Sequence, residues 1–215
     1  MSHIQMTKHI LRAFGGLVLG SVLSGCAVIS AFDDAATPLD VFELRAPPGI
    51  QKTSQRSLAR DVIVELPRTS GALATDRIMI RPNTLQAQYL PDVRWSEPTP
   101  VMVQTLMLRT LEATGAVRYV GREPLGVSGD YAVITEVVDF QAELAEDTDS
   151  ATVLLSLIVR VVREEDARIV ANRTFTANTV AASTETLQLI QAFDVASNQL
   201  FSEFAEWLPS ALAGR

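Results

Sequence analysis

Apolar residues recur along this chain at two periods, and the switches between them mark out its elements. A period of two, which strand side chains require, opens at Leu39–Leu44, where Val41 and Phe42 are the bulky members of a first edge strand. Pro47-Pro48-Gly49 breaks it, and the polar residues 51–60 read as a loop. Asp61–Leu66 is β-branched and closed by Pro67. Asp76–Arg81 follows with Ile78 and Ile80 on one face; Pro82-Asn83 turns the chain, and Leu85–Leu90 runs back as the hairpin partner. The period then lengthens to that of a helix: Val103, Leu106, Met107 and Leu111 form one stripe, with Thr110 and Thr114 on the same side. Thr99 is placed as its N-cap, Pro100 at its first helical position, and Gly115 at its end.

Beyond a short strand or turn at Val117–Val120 and a loop at Gly126–Gly129, alternation returns in three long runs. In Asp130–Ala145, Ala132, Ile134, Val138, Phe140, Ala142 and Leu144 share one face, which Glu136 interrupts. Ala151–Val162 follows an acidic turn at Glu146–Asp149 and is apolar on both faces near its middle, as a central strand is. Glu164-Glu165-Asp166 makes a charged hairpin tip; Arg168–Thr179 returns with Ile169, Ala171, Phe175 and Ala177 inward and Arg168, Asn172, Thr174 and Thr176 outward. Thr184 caps a last helix, Glu185–Leu208, whose inward stripe is Leu187, Ile190, Phe193, Ser197, Leu200, Phe204 and Trp207; Pro209 stops it. Grouped strands with two helices to cover one face predict a single α+β domain with a mainly antiparallel sheet.

The start of the chain is patterned differently. Lys8 and Arg12 precede an uncharged run from Ala13 to Phe32, and no acidic residue occurs before Asp33. Inside the run, Leu23-Ser24-Gly25-Cys26 places the chain's one cysteine directly after two small residues. A basic start, an apolar stretch and a small-residue cleavage site form a secretory signal, and the added cysteine makes this stretch resemble a bacterial lipobox. In that reading residues 1–25 are removed, Cys26 is acylated, residues 26–38 tether the domain, and 39–215 fold. The alternative is an uncleaved membrane helix, since about 20 residues suffice to span a bilayer; Gly15, Gly16, Gly20 and Gly25 weaken it. Ala27, where retained lipoproteins carry Asp, implies by resemblance to sorted lipoproteins an outer-membrane location facing the periplasm.

Composition excludes more than it assigns. Without residues 1–25 the chain keeps 16 basic and 25 acidic residues, a net charge of −9, which repels phosphate backbones and argues against nucleic-acid binding. Both histidines, His3 and His9, fall in the removed part, so the remainder has neither His nor free thiol. Ser-His-Asp and Cys-His catalysis and His- or Cys-built zinc sites are thereby excluded. No cofactor or metal is called for. Three neighbouring carboxylates at Glu164–Asp166 are a solvated tip more readily than a calcium site. Asp139 with Glu143 is the one carboxylate pair worth weighing for hydrolysis, and exposed strand faces carry such pairs for solvation.

Residues 76–95 (DRIMIRPNTLQAQYLPDVRW) and the SEPTP turn after them, followed by Gly129-Asp130-Tyr131-Ala132-Val133, Val138-Asp139-Phe140, Arg173-Thr174-Phe175 and the AFDVASNQL helix, resemble the ABC-type transport auxiliary lipoprotein family. The resemblance implies an accessory part of a lipid or organic-solvent transport system, with an MCE-domain protein and an ABC permease and ATPase as partners on other chains; this chain has no Gly-x-x-x-x-Gly-Lys loop of its own. A structural outer-membrane lipoprotein without lipid cargo is the alternative, and a homo-oligomer is left open. Arg77, Tyr89, Arg94 and Trp95 match the family's motif. Residues of these types dominate docking hot spots, and they equally serve to pack and brace a strand corner. Phe140, Phe175, Phe204 and Trp207 are expected in the core.

The lipobox reading has a direct check. Cys26→Ala is expected to leave the fold intact while abolishing acyl labelling and outer-membrane fractionation. A mutant that still fractionates with membrane as an uncleaved precursor would identify Ala13–Phe32 as a membrane helix.

Overall fold

The structure, a computed structural model, describes residues 38–52, 57–145 and 149–213. The lipobox, the run Ala13–Phe32 and the tether up to residue 37 lie outside the described residues, as does most of the acidic turn at 146–149. In chain order the elements are β1 (Asp40–Phe42), β2 (Leu58–Val64), β3 (Arg68–Thr69), β4 (Arg77–Asn83), β5 (Gln86–Trp95), α1 (Thr99–Thr114), β6 (Val117–Gly121), β7 (Tyr131–Leu144), β8 (Ala151–Arg163), β9 (Arg168–Ala181) and α2 (Thr186–Ala213). They make an α+β fold. The long β7–β8, β8–β9 and β4–β5 ladders are antiparallel.

The sheet is built outward from β7. Along one edge it pairs with β8 from Tyr131↔Arg163 to Leu144↔Ala151. Its other edge is shared end to end by three separate segments, all parallel to it: β2 at Tyr131–Val133, β3 at Glu136–Val137 and β4 at Ala142–Glu143. From there the sheet continues through β4 to β5 and β1, and through β2 to β6. Both helices cover one face.

On β8, Ala151, Val153, Leu155, Leu157, Val159 and Val161 alternate onto the core face without a break, each between 0% and 2% exposed. Both neighbours must match that phase, because a one-residue slip turns a strand's side chains over, and both contain one residue too many. In β7 the surplus is Val138, a bulge between Val137 and Asp139. Val133, Thr135 and Val137 therefore face the core before it, and Phe140 and Ala142 after it. The face expected from strict alternation is corrected accordingly: Ala132, Ile134 and Glu136 share the opposite face, and Val138 is 44% exposed. Neighbouring side chains satisfy the backbone around the bulge. Thr69 Oγ1 donates to the Val137 carbonyl (2.9 Å), and the buried Gln141 Oε1 accepts the Phe140 N–H (2.8 Å). A second bulge, at Val170 in β9, buries that residue and turns Ile169 outward, contrary to the alternation expected there.

The helices also depart from their expected ends. Thr99 is not the cap: Pro98 holds that position without a side-chain cap bond, and the Thr99 hydroxyl donates instead to the Thr75 carbonyl at 3.3 Å. Gly115 closes α1 in the left-handed conformation (φ 59°). In α2 the first turn springs from Glu185, whose carbonyl accepts the Leu189 N–H, and Ser183 Oγ rather than Thr184 accepts the Glu185 N–H. Pro209 does not stop the helix, which runs on to Ala213. A helix-interior proline costs about 3 kcal/mol, and burial of Leu208 and Leu212 on either side offsets it. Leu187 is exposed; Leu189 takes the inward place.

Aromatic contacts fasten α2 to the sheet. Phe193 lies 5.3 Å from Trp95 of β5, edge to face, and 5.7 Å from Phe140 of β7, stacked. Phe175 of β9 meets Phe204 at 5.8 Å and Trp207 at 5.4 Å. Phe193 is 0% exposed and joins three elements, so Phe193→Ala is expected to lower unfolding free energy by about 3–5 kcal/mol, read from chemical denaturation; a loss near zero would mean α2 is not anchored there.

Candidate functional site

The β4–β5 hairpin turns over Thr84 and Leu85, two residues later than the sequence pattern places it, because Asn83 Oδ1 accepts the N–H groups of Leu85 (3.1 Å) and Gln86 (3.0 Å). The returning strand does not end at Leu90. It bulges through Pro91 and Asp92, the latter at φ 59°, and pairs again at Arg94. Proline has no N–H to lose and Asp tolerates the left-handed region, so the irregularity falls where these residues stand. Its effect is to bring Arg94 directly opposite Arg77, and β1 then pairs in parallel to set Val41 beside Arg94.

Val41, Arg94 and Arg77 thus form one row across three strands. Val41 is 50% exposed. Arg94 Nη1 bonds Asp76 Oδ2 at 3.2 Å, both side chains about one-third exposed. The Arg77 guanidinium lies 5.6 Å from the Tyr89 ring centre, and its Nε is buried with no hydrogen-bond partner among the described residues. Tyr89 is held in turn by its hydroxyl, which donates to the Ala72 carbonyl at 3.0 Å. Two like charges directly opposite on a sheet repel; here one carboxylate and one aromatic face offset two arginines, which leaves a positive excess. Trp95 does not join the row. It is 1% exposed, on the core side with Phe140 and Phe193, and its N–H bonds the Asp76 carbonyl at 2.7 Å. Three of the four motif residues therefore come together at the surface and the fourth braces them from within. Val41 and Asp76 complete the patch and escape a sequence reading, since nothing local announces that β1 pairs with β5.

A second charged group lies where β2, β6 and β7 meet. Arg118 Nε bonds Asp61 Oδ1 at 2.8 Å, and Arg60 and Arg118 flank Asp130 at 3.6 and 3.7 Å. Asp130 Oδ2 also accepts the Asp61 N–H (2.7 Å). These bonds fasten the start of β2 to that of β7, beside an open cleft of 550 Å³ lined by Arg60, Tyr131 and Arg163. At the neighbouring hairpin tip both carboxylate oxygens of Asp166 are taken by Arg163 (2.9 and 2.8 Å). Among the described residues no group of three or more His, Cys, Asp or Glu is arranged to hold a metal ion. Asp139 and Glu143, the pair weighed for hydrolysis, share one donor, Gln141 Nε2, at 2.9 and 3.4 Å.

A family model for the ABC-type transport auxiliary lipoprotein component matches residues 42–205. No curated protein matches the sequence. Among solved structures, a Xanthomonas campestris protein of the DUF330 family is similar over 80% of this chain and 95% of its own, at 22% identity and a TM-score of 0.67. An uncharacterized protein is similar over 78% of this chain and 97% of its own, at 13% identity and a TM-score of 0.57. At such identities the structural likeness is one of fold.

The Asp61–Arg118 bond predicts a pH response. Its hydrogen bond holds the Asp61 carboxyl below its ordinary value of 3.8, against the opposing effect of burial. A carboxyl with a lowered folded-state pKa contributes stability that is present above the unfolded value and lost as pH falls through the folded one. The melting temperature should therefore fall as pH drops below 3.8, and less steeply in Asp61→Asn; identical slopes for the two proteins would refute the linkage.

Proposed function

This chain belongs to the ABC-type transport auxiliary lipoprotein component family, and we propose that it is the periplasm-facing accessory of an MCE-associated ABC system moving lipid or organic solvent, working by docking and not by catalysis. In this reading residues 1–25 are a cleaved signal, Cys26 carries the acyl anchor, residues 26–38 tether the chain to the outer membrane, and residues 39–215 meet the MCE-domain protein. The ATPase and permease are separate chains.

The observation that carries the docking role is the Val41–Arg94–Arg77 row with Tyr89 beside it. It combines an exposed apolar residue, an aromatic ring and two arginines on a chain that is otherwise strongly acidic. An excess of positive charge on such a molecule suits an acidic partner surface, and complementary charge steers encounter as well as specificity. The absence of histidine and free thiol after Cys26 supports an accessory role.

The test is co-purification, after crosslinking in intact cells, with an MCE-domain protein identified by mass spectrometry. Arg77→Gln/Arg94→Gln, which removes the positive charge without setting two carboxylates opposite each other beside Asp76, is expected to lose that partner while acyl labelling stays as in the wild type and unfolding stays cooperative. Retention of the partner would move docking elsewhere on the surface. A wild-type chain that captures no MCE-domain protein would remove the transport assignment and leave a structural envelope lipoprotein.

A further inference from the structure

A cavity of 320 Å³ opens where the end of α1, the last turns of α2 and the segment 48–51 meet. Pockets that hold small molecules run from about 300 to 1,000 Å³, so this one takes a small group or the end of a larger one. Its polar lining is rich in acceptors. Glu206 is exposed, and its carboxylate makes no ion pair or hydrogen bond among the described residues. The side chains of Ser202 and Gln51 are unpartnered among them as well. Pro209 frees a fourth acceptor: it has no N–H, so the Ala205 carbonyl four residues earlier loses the donor that an unbroken helix supplies. No Lys or Arg lines the cavity, and α1 ends on it at Thr114 with no basic residue in its last turn. No side-chain charge therefore compensates the negative end of that helix.

We propose that this cavity binds a primary ammonium on a short apolar stem, the chemistry shared by an ethanolamine headgroup and a free alkylamine. The lining selects this ligand over others. An anion is repelled by Glu206 and by the end of α1. A quaternary ammonium donates no hydrogen bond and is recognised by aromatic faces, and no aromatic residue lines the cavity. A bare metal ion of the oxygen-ligating kind takes about six oxygens or more, finds one carboxylate here, and makes no use of an apolar wall. A primary ammonium carries three donors and no acceptor, which matches the Glu206 carboxylate and the acceptors around it, while its stem lies against Pro48, Ile50 and Pro209. The site shares no residue with the Val41–Arg94–Arg77 row, and the inference does not rest on the transport reading.

The test adds ethanolamine to the full-length chain in a nonionic detergent, at neutral pH and constant ionic strength, and reads the melting temperature, since a ligand of the folded state stabilises it. Ethanolamine is expected to raise the melting temperature saturably, and choline to leave it unchanged. Glu206→Gln, at an exposed position, should keep the unliganded melting temperature and lose the shift; Glu185→Gln, exposed just before α2, should keep both. Pro209→Ala gives the Ala205 carbonyl its donor back, so it should raise the unliganded melting temperature and shrink the shift. Equal shifts with ethanolamine and choline, or a shift that survives Glu206→Gln, would overturn the site. Mixed micelles of phosphatidylethanolamine, set against phosphatidylcholine with the same acyl chains, separate the two sources. A shift with phosphatidylethanolamine as well as with free ethanolamine assigns a lipid headgroup, and a shift with free ethanolamine alone assigns a soluble amine.

Discussion

The interaction on which the rest of the molecule depends is the ladder between β7 and β8. Unbroken alternation in β8 lines the core face from Ala151 to Val161, and both adjoining strands conform to it, each by pushing one residue out of register. Val138 in β7 and Val170 in β9 are those residues. The adjustment is feasible because a bulge costs only local hydrogen bonds, which Thr69 and Gln141 partly replace, whereas an inverted strand would put Glu136 in the core.

The other edge of β7 explains why the surface patch forms. β2, β3 and β4 share that edge, so the chain must leave it after Thr69 and return to it at β4. The return passes through Thr75 and Asp76, whose carbonyls accept the N–H groups of Thr99 and Trp95. One short turn thereby positions the start of α1, the end of β5 and the carboxylate that pairs with Arg94. Trp95 fills the space beneath, against Phe140 and Phe193. The core itself braces the patch, and in the docking role proposed above such a support loses little entropy on binding.

Electrostatics divide the molecule in a similar way. The Asp61–Arg118–Asp130–Arg60 group balances its own charges and clamps β2 to β7, so its role is mechanical. The Arg77–Arg94 pair is left with an excess. The second half of β9 carries no charged side chain, and beyond the β8 ladder its backbone makes no backbone hydrogen bond among the described residues. These are three different surfaces.

Most of the elements were legible in the sequence, because period and punctuation are local: the helix stripe at Val103–Leu111, the terminator Gly115 and the long strand runs are read from neighbours a few residues apart. The family was legible too, from the order of its motifs. What only the tertiary structure decided is phase and partnership. Glu136 looked like a defect in a buried face until β8 imposed a bulge at Val138. Pro209 looked like a stop until burial of Leu208 and Leu212 outweighed it. Val41 joined Arg77 and Arg94 through a parallel pairing of β1 with β5, across some fifty residues of chain. The sequence determined which segments extend or coil, since that is governed by local sterics and apolar spacing. Which faces they turn to each other was decided by competition among distant segments for the same buried edge.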